Sequence, residues 1–194
     1  MDFLGPKVDL EPMKVFQGTP DDTLIKSVGA HCDAEYGGGS ESAHEFVEEE
    51  GQPFLRWKGK MNFKEEHIVK TKATGGFCAL KIDFKKPIDL LDFQGLEISL
   101  RTRKDLRIFV NLRFSTYIEN DMYQMCLELK GERDWKTLFT PFGMYQLTSN
   151  GNMKEQMMQN DHLQLESVGL LVTDSQAGEF SVDIRHIQAM NAGM

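Results

Sequence analysis

The clearest hydrophobic pattern in the chain lies in Gly95–Phe114, where apolar and polar residues alternate. The alternation occupies Leu96–Leu100 and, after a short charged break, resumes over Leu106–Phe114. A period of two is typical of half-buried β-strands, because successive side chains point to opposite faces of a sheet. Two such runs joined by a short polar turn predict a β-hairpin, and we place this hairpin at the middle of a sheet.

Similar patterns predict strands along most of the remaining chain. The predicted segments are Leu24–Val28, which enters a first strand, and then Ala43–Glu50, Pro53–Lys60, Gly75–Phe84, Met122–Leu129, Trp135–Phe142, Ser167–Val172 and Glu179–Ile187. We expect Ala43–Glu50 to pair with Pro53–Lys60, and the last two segments to pair with each other. The side chains of Gly75–Phe84 that should face the core are Cys78, Leu80, Ile82 and Phe84.

The number and spacing of these segments predict the fold class. About eight or nine short strands with almost no helix indicate an all-β protein. The segment 143–163 is polar and methionine-rich, and we expect a long connection there, with a turn at Asn150-Gly151 and a helical turn near Lys154–Gln159. Long connections favour a two-sheet jelly-roll β-sandwich over an up-and-down meander, and we assign residues 24–190 to this domain.

Residues 1–23 are predicted to form an extended N-terminal arm. Pro6, Pro12 and Pro20 remove backbone donors and fix φ, so a helix is disfavoured there. The arm also carries several large apolar side chains, and we expect it to pack on its own domain or on a partner. Its first residues lack the apolar segment of a secretory signal and, being acidic without arginine, differ from an ordinary mitochondrial transit peptide.

Charge and composition exclude several function classes. The 194 residues include 22 basic and 30 acidic ones, for a net charge of −8. This balance disfavours binding to nucleic acid or to an anionic bilayer, since both require a positive field. No apolar run approaches the roughly 20 residues that cross a bilayer, so any membrane association should be peripheral. Cys32, Cys78 and Cys126 are widely spaced, which argues against a disulfide framework or a zinc site and favours a reducing compartment.

The sequence contains no recognisable catalytic constellation. The five histidines form no HxH or HExxH arrangement, and the nucleophile-elbow, phosphate-loop and dinucleotide-binding motifs are absent. The runs of acidic residues are typical of solvated surfaces. We therefore expect no catalytic residue, no metal and no cofactor, and we interpret the chain as a non-enzyme.

A glycine-rich loop in Asp33–Ser42 is the first candidate for binding. Three consecutive glycines allow positive φ and a close approach of the backbone. The candidate residues are Gly37, Gly38, Gly39 and Ser40. Either they form a flexible turn, which the frequency of glycine-rich turns favours, or they form a small-residue loop that closes the sandwich or contacts a ligand.

Aromatic and polar residues on the strand faces turned away from the core are the second candidate. The residues that can line a groove there are Phe109, Asn111, Arg113, Tyr123 and Trp135, with Gln124 as a neighbour. Such residues can stack on a sugar or hold a peptide. In the alternative, which the burial tendency of aromatic residues favours, the second sheet or the N-terminal arm covers them.

Six motifs follow one another along the chain. They are the loop DAEYGGGSES, the strand GGFCALKIDF, the run DLLDFQGLEISLR, the strand DMYQMCL, the segment WKTLFTPFGMY and the closing ESVGLLVTDSQAGEFSVDIRHI. Each resembles a counterpart in the complex I intermediate-associated protein 30 family, where the counterparts occur in the same order. The motifs cover residues 30–190, and their common order makes the resemblance specific. The family's R-G-D-G-R turn appears here as Arg101–Arg107, which keeps the arginines but has no glycine.

The resemblance implies a galactose-binding-like jelly roll with a non-enzymatic role in building the membrane arm of mitochondrial respiratory complex I. It implies protein subunits of an inner-membrane complex as partners and a location on the matrix side of that membrane. The departures from the family pattern leave open a permanent accessory subunit or a non-mitochondrial paralogue. A small-ligand or carbohydrate-binding module stays open as the second hypothesis, and an enzyme as the third.

Overall fold

The computed structural model describes residues 10–62, 76–115, 121–149, 152–157, 163–173 and 178–192. Within these residues the chain forms thirteen β-strands and two short 3₁₀ turns, and no helix there is long and apolar enough to cross a bilayer. The strands are β1 (Met13–Phe16), β2 (Ile25–Cys32), β3 (Glu41–Glu49), β4 (Gln52–Met61), β5 (Phe77–Asp89), β6 (Gly95–Thr102), β7 (Leu106–Phe114), β8 (Asp121–Leu129), β9 (Glu132–Pro141), β10 (Gln146–Ser149), β11 (Asn152–Met157), β12 (Gln164–Thr173) and β13 (Gly178–Met190). The prediction of an all-β protein is confirmed.

The strands form two antiparallel sheets that enclose a common core. In the six-stranded sheet the order is β3-β4-β13-β6-β9, and β1 also pairs with β13. In the seven-stranded sheet the order is β11-β10-β8-β7-β12-β5-β2. Most neighbours are distant in sequence, as expected when strands cross repeatedly between the two sheets of a jelly roll. The predicted two-sheet jelly-roll sandwich is confirmed.

The hydrophobic core lies between the two sheets. Its side chains come from alternate positions of strands in both sheets, as a period of two requires. On β5 the predicted inward set is buried, namely Cys78, Leu80, Ile82 and Phe84. The six-stranded sheet contributes Trp57, which is fully buried and donates its indole N–H to Ser42 Oγ at 2.9 Å. Removal of this apolar surface from water is the main term that stabilises the fold.

The hairpin predicted at Gly95–Phe114 is wrong, although both of its strands exist. β6 pairs with β13 and β9 in the six-stranded sheet, whereas β7 pairs with β12 and β8 in the seven-stranded sheet. The chain therefore crosses from one sheet to the other over residues 103–105. Both strands still turn their apolar side chains inward, because the core lies between the sheets, so alternation alone does not distinguish the two arrangements.

Two crossings of this kind pack against each other. β8 and β9 also lie in different sheets, and the turn between them contains Gly131. The Gly131 backbone N–H donates to Asp105 Oδ1 at 2.9 Å, and a Cβ on Gly131 would lie only 2.4 Å from Lys104 Cα. With both turns fixed side by side, β7 pairs with β8 in one sheet and β6 pairs with β9 in the other.

The two strands at the end of the chain are separated in the same way. β12 lies between β7 and β5 in the seven-stranded sheet, whereas β13 lies in the six-stranded sheet, so the predicted pairing of these segments is wrong. The predicted pairing of 43–50 with 53–60 is confirmed. There β3 and β4 are in register from Glu41 opposite Lys60 to Glu49 opposite Gln52.

The polar connection after β9 contains strands in its described residues. β10 pairs with β8, and β11 pairs with β10 at the end of the seven-stranded sheet. The helical turn predicted near Lys154–Gln159 is therefore wrong for residues 154–157, while residues 158–159 and the predicted turn at Asn150-Gly151 lie outside the described residues. A short polar segment has little periodicity of its own, so pairing to a neighbour decides its conformation.

The described part of the predicted N-terminal arm packs on the six-stranded sheet. β1 pairs with the end of β13, and Val15 and Phe16 are fully buried. Gly18 has a φ of +67°, and a Cβ there would lie 2.6 Å from the Arg185 carbonyl oxygen, so this close approach requires glycine. Residues 1–9 lie outside the described residues, and the boundary between arm and domain at residue 23 stays a prediction.

Candidate functional site

The glycine loop predicted as a binding element folds back on itself. A 3₁₀ turn at Asp33–Tyr36 ends at Gly37, which adopts a left-handed φ of +88°. The Gly38 N–H then donates to the Asp33 carbonyl oxygen at 2.8 Å. The predicted residues follow one another between this turn and β3: Gly37, Gly38, Gly39 and Ser40.

The loop closes around the buried side chain of Asp33. Its Oδ1 accepts the Ser40 backbone N–H at 2.9 Å, and Ser40 Oγ accepts the Asn62 N–H at 3.2 Å. A Cβ on Gly38 would lie 2.2 Å from Asp33 Cγ. The glycine at this position therefore makes room for the Asp33 carboxylate, which holds Ser40 just before β3, while the Ser40 hydroxyl contacts the residue after β4.

A methyl group at residue 38 should destabilise the protein. We expect Gly38→Ala to lower the free energy of unfolding by about 2 kcal/mol, because the new carbon overlaps the Asp33 carboxylate. Urea denaturation followed by circular dichroism measures the change. Gly143→Ala is the matched control, since a Cβ on Gly143 meets no atom within 4 Å. Equal unfolding midpoints for the two variants would show that the loop is not packed around Asp33.

Three of the predicted groove residues share the outer face of the seven-stranded sheet. Phe109, Asn111 and Arg113 alternate along β7 with its buried residues. Asn111 Oδ1 accepts Gln124 Nε2–H at 2.9 Å, and Arg113 Nε lies 3.4 Å from Glu166 Oε2. These contacts form a polar strip across β8, β7 and β12, in which Phe109 is half-buried.

The other two predicted groove residues lie elsewhere. Tyr123 on β8 packs edge-on against Phe114 with ring centroids 5.8 Å apart, and burial raises the pKa of Tyr123. Trp135 on β9 belongs to the six-stranded sheet. The structure does not bring the five residues into one groove, because the chain crosses between the sheets before β9.

Trp135 is the centre of a cluster that sequence reasoning missed, which we call the arginine–tryptophan patch. The Arg185 guanidinium carbon lies 4.1 Å from the centre of the Trp135 ring, and that of Arg101 lies 4.6 Å from it. Phe54 packs edge-on against the same ring at 5.5 Å. The residues of the patch are Phe54, Arg56, Arg101, Arg103, Arg133, Trp135 and Arg185, from β4, β6, β9, β13 and the turn after β6.

Asp183, which is buried, holds two arginines of the patch. Its carboxylate accepts Arg56 Nε–H at 2.8 Å and Arg101 Nε–H at 2.8 Å. Glu49 accepts a further hydrogen bond from each of the two arginines. The hydrogen bond to Asp183 raises the pKa of Arg56, so this guanidinium stays charged. The shared carboxylates fix the orientation of Arg56 and Arg101.

Two adjoining clefts open on the patch. One has a volume of about 480 Å³, and the other has a volume of about 460 Å³; both are lined by Glu49, Arg101 and Arg133. The larger cleft is also lined by Trp135 and Arg185. These side chains can offer guanidinium donors and an aromatic surface to a ligand or to a partner. Alternation along the sequence indicates the outward positions of Arg101, Trp135 and Arg185, but it does not show that their strands are neighbours.

The described residues offer little for metal or thiol chemistry. In that part of the chain, no group of three or more histidine, cysteine or carboxylate side chains is placed to hold a metal ion. Cys32, Cys78 and Cys126 are free thiols, of which Cys126 is exposed. Burial raises the pKa of Cys78 to about 12, so this thiol stays protonated at neutral pH.

The fold is that of jelly-roll carbohydrate-binding modules. The family 11 module of the cellulosomal cellulase Lic26A-Cel5E of Clostridium thermocellum matches with a TM-score of 0.64 and 12% identity, covering 94% of this chain and 96% of that one. The family 30 carbohydrate-binding module matches with a TM-score of 0.56 and 12% identity, covering 95% of this chain and 90% of that one. The agarase AgWH50C matches with a TM-score of 0.59 and 10% identity, over 94% of this chain and 25% of that one. At these identities the likeness establishes the fold alone.

The chain belongs to the complex I intermediate-associated protein 30 family. A sequence model of that family matches residues 16–184, from the last residue of β1 into β13. The resemblance inferred from the six motifs is thereby confirmed. No protein with a curated description matches this chain at a significant level.

Proposed function

We propose that this protein is a non-enzymatic scaffold for the assembly of, or an accessory subunit in, a mitochondrial respiratory complex, above all complex I. It acts through protein–protein contacts. The observation that carries the proposal is the family match, which spans residues 16–184 and thus nearly the whole jelly roll. The family is named for an association with an intermediate of complex I, and this name supports an assembly role.

The arginine–tryptophan patch supports a role in protein contacts. Arginine and tryptophan are enriched among the residues that contribute most to protein–protein binding. Arg56 and Arg101 are already held by Asp183, so their side chains lose little conformational freedom when a partner binds. Trp135, which contacts Arg101 and Arg185, is half-buried, so part of the residue stays accessible.

The proposal includes a location and a class of partner. The protein binds protein subunits of an inner-membrane complex from the matrix side, as a peripheral component without a cofactor. The net charge of −8 supports attachment through protein rather than through anionic lipid, and it disfavours nucleic acid as a partner.

Binding of a small ligand or a carbohydrate is the second candidate function. It is favoured by the fold, which is shared with carbohydrate-binding modules of families 11 and 30. The candidate contacts are the polar strip at Phe109, Asn111 and Arg113, the Gly37–Ser40 loop, and Trp135. Titration calorimetry with the β-1,3-1,4-mixed-linked tetrasaccharide found in a complex of the family 11 module is the first test. Saturable heat of binding would favour this candidate.

Native-gel fractionation of mitochondria extracted with a mild detergent tests the scaffold proposal. We expect the chain to migrate with a partial complex I if it is an assembly factor, and with the mature complex if it is an accessory subunit. Absence from mitochondria, or migration only as a free protein, would contradict the proposal. The ligand-binding module would then become the first candidate.

A further inference from the structure

We propose that the arginine–tryptophan patch is the docking site for an acidic segment of a partner protein. This inference rests on the proposed scaffold function, because it names the chemistry of the partner and the surface that receives it. The motivating feature is a local concentration of arginines on an acidic protein. Five of the seven arginines of the chain lie in the patch, although the net charge of the whole chain is −8.

The arginines of the patch fall into two groups. Arg56 and Arg101 are neutralised by Asp183 and Glu49 and form a fixed base. Arg103, Arg133 and Arg185 line the two clefts and, among the described residues, have no carboxylate partner. The second group is therefore the one that can receive a negative charge from outside.

Arg185 is the best prepared of these unpaired arginines. Its guanidinium is stacked on Trp135 at 4.1 Å, which restricts its orientation. Its Nε is buried and has no acceptor among the described residues. A partner cannot reach this buried Nε, but the other nitrogens of the guanidinium can form charge-assisted hydrogen bonds to a carboxylate. The position is thus prepared for an anionic group that the chain itself does not supply.

An acidic protein segment fits this surface better than a long polyanion. A planar guanidinium matches the two oxygens of a carboxylate, and Trp135 offers an apolar surface to the side chain next to it. Glu50 and Asp134 line the same cleft and repel negative charge. A peptide can place uncharged residues beside them and its carboxylates on the arginines, whereas an evenly charged phosphate backbone cannot. The clefts, of about 480 and 460 Å³, accommodate a few side chains rather than a folded domain. A short segment rich in glutamate or aspartate is the occupant that these features favour.

The probe for this proposal is a short fluorescein-labelled peptide that is rich in glutamate and has one central leucine. Its binding to the protein is measured by fluorescence anisotropy at low ionic strength. Its control is the same peptide with glutamine at every glutamate. We expect saturable binding of the acidic peptide to the wild-type chain, and binding at least about tenfold weaker to the double variant Arg133→Gln/Arg185→Gln. The matched variant Lys81→Gln/Arg107→Gln removes the same charge from the outer face of the opposite sheet, and it should bind within about twofold of wild type.

The outcomes separate the docking site from unspecific charge effects. Equal weakening in both double variants, or equal binding of the glutamine peptide, would overturn the proposal. Anionic vesicles and single-stranded DNA are tested in the same way. If either binds more tightly than the peptide, and the double variant Arg133→Gln/Arg185→Gln loses this binding, the patch receives another class of partner and the proposal is overturned. If the peptide experiments contradict the proposal but the wild-type chain co-migrates with complex I, the scaffold function is retained and only the docking site is rejected. Thermal unfolding of both double variants verifies that each is folded.

Discussion

Replacing Asp183 with asparagine is expected to lower the free energy of unfolding by about 3 kcal/mol. Asp183 is 4% exposed and is the shared acceptor of Arg56 and Arg101. Asparagine has a similar shape but no charge, so the two guanidinium groups lose the buried one of the two carboxylates that they share and keep only Glu49. We take the lower end of the range for a broken buried pair, because the two arginine side chains are 19% and 18% exposed. Urea denaturation at neutral pH measures the effect.

A matched substitution distinguishes the buried carboxylate from an ordinary surface charge. Glu128→Gln removes a carboxylate from the pair with Arg107 on the outer face of the opposite sheet, where the Glu128 side chain is 70% exposed. Exposed pairs of this kind contribute little to stability, so its unfolding midpoint should stay near that of wild type. Equal midpoints for Asp183→Asn and wild type would show that the patch does not depend on Asp183.

Trp57→Ala is expected to lower the free energy of unfolding by about 4 kcal/mol, the largest effect of any substitution considered. Trp57 is fully buried, its ring packs edge-on against Phe180 at 4.8 Å, and its N–H donates to Ser42 Oγ. Alanine leaves a cavity between the sheets and removes the partner of Ser42. Chemical denaturation followed by circular dichroism gives the value.

The second tryptophan provides the comparison for Trp57. Trp135→Ala removes a half-buried ring from the patch, outside the core between the sheets, and should cost only about 1–2 kcal/mol. For binding of the acidic peptide, the order of the two effects should be reversed. Trp135→Ala should weaken the acidic peptide, whereas folded Trp57→Ala should bind it as wild type does. A larger loss of stability in Trp135→Ala than in Trp57→Ala would contradict the division between core and patch.

The sequence predicted strands and inward faces well because both follow from a local period. The set Cys78, Leu80, Ile82 and Phe84 was assigned inward from alternation alone, and all four are buried. On β13 the alternation changes at a backbone irregularity. The register shifts between Ile184 and His186, and the next buried residue after Ile184 is Ile187.

Strand partners were harder to predict because pairing is not a local property. The segment Gly95–Phe114 has the pattern of a hairpin, yet its two strands belong to different sheets. The deciding contacts come from a distant turn, since Gly131 packs on Lys104 and binds Asp105. Without that turn, a hairpin and a crossing present the same alternation to the core. The same ambiguity led to the wrong pairing of β12 with β13.

The candidate site shows the consequence of these pairing errors. Arg101, Trp135 and Arg185 each occupy an outward position, which alternation along their strands can indicate. Their meeting depends on the order β13-β6-β9, which places three distant segments side by side. The groove predicted from Phe109 to Trp135 instead divides between opposite faces of the sandwich. A site made by several strands therefore needs the topology before its residues can be grouped.

The most direct test is native-gel fractionation of mitochondria in which the endogenous chain is replaced by the wild-type protein or by Arg133→Gln/Arg185→Gln. A scaffold that docks through the arginine–tryptophan patch predicts that the wild-type chain migrates with partial or mature complex I. The folded variant should migrate mainly as free protein. Co-migration of both forms with the complex would contradict docking through the patch, and absence of both from every form of complex I would contradict the scaffold function.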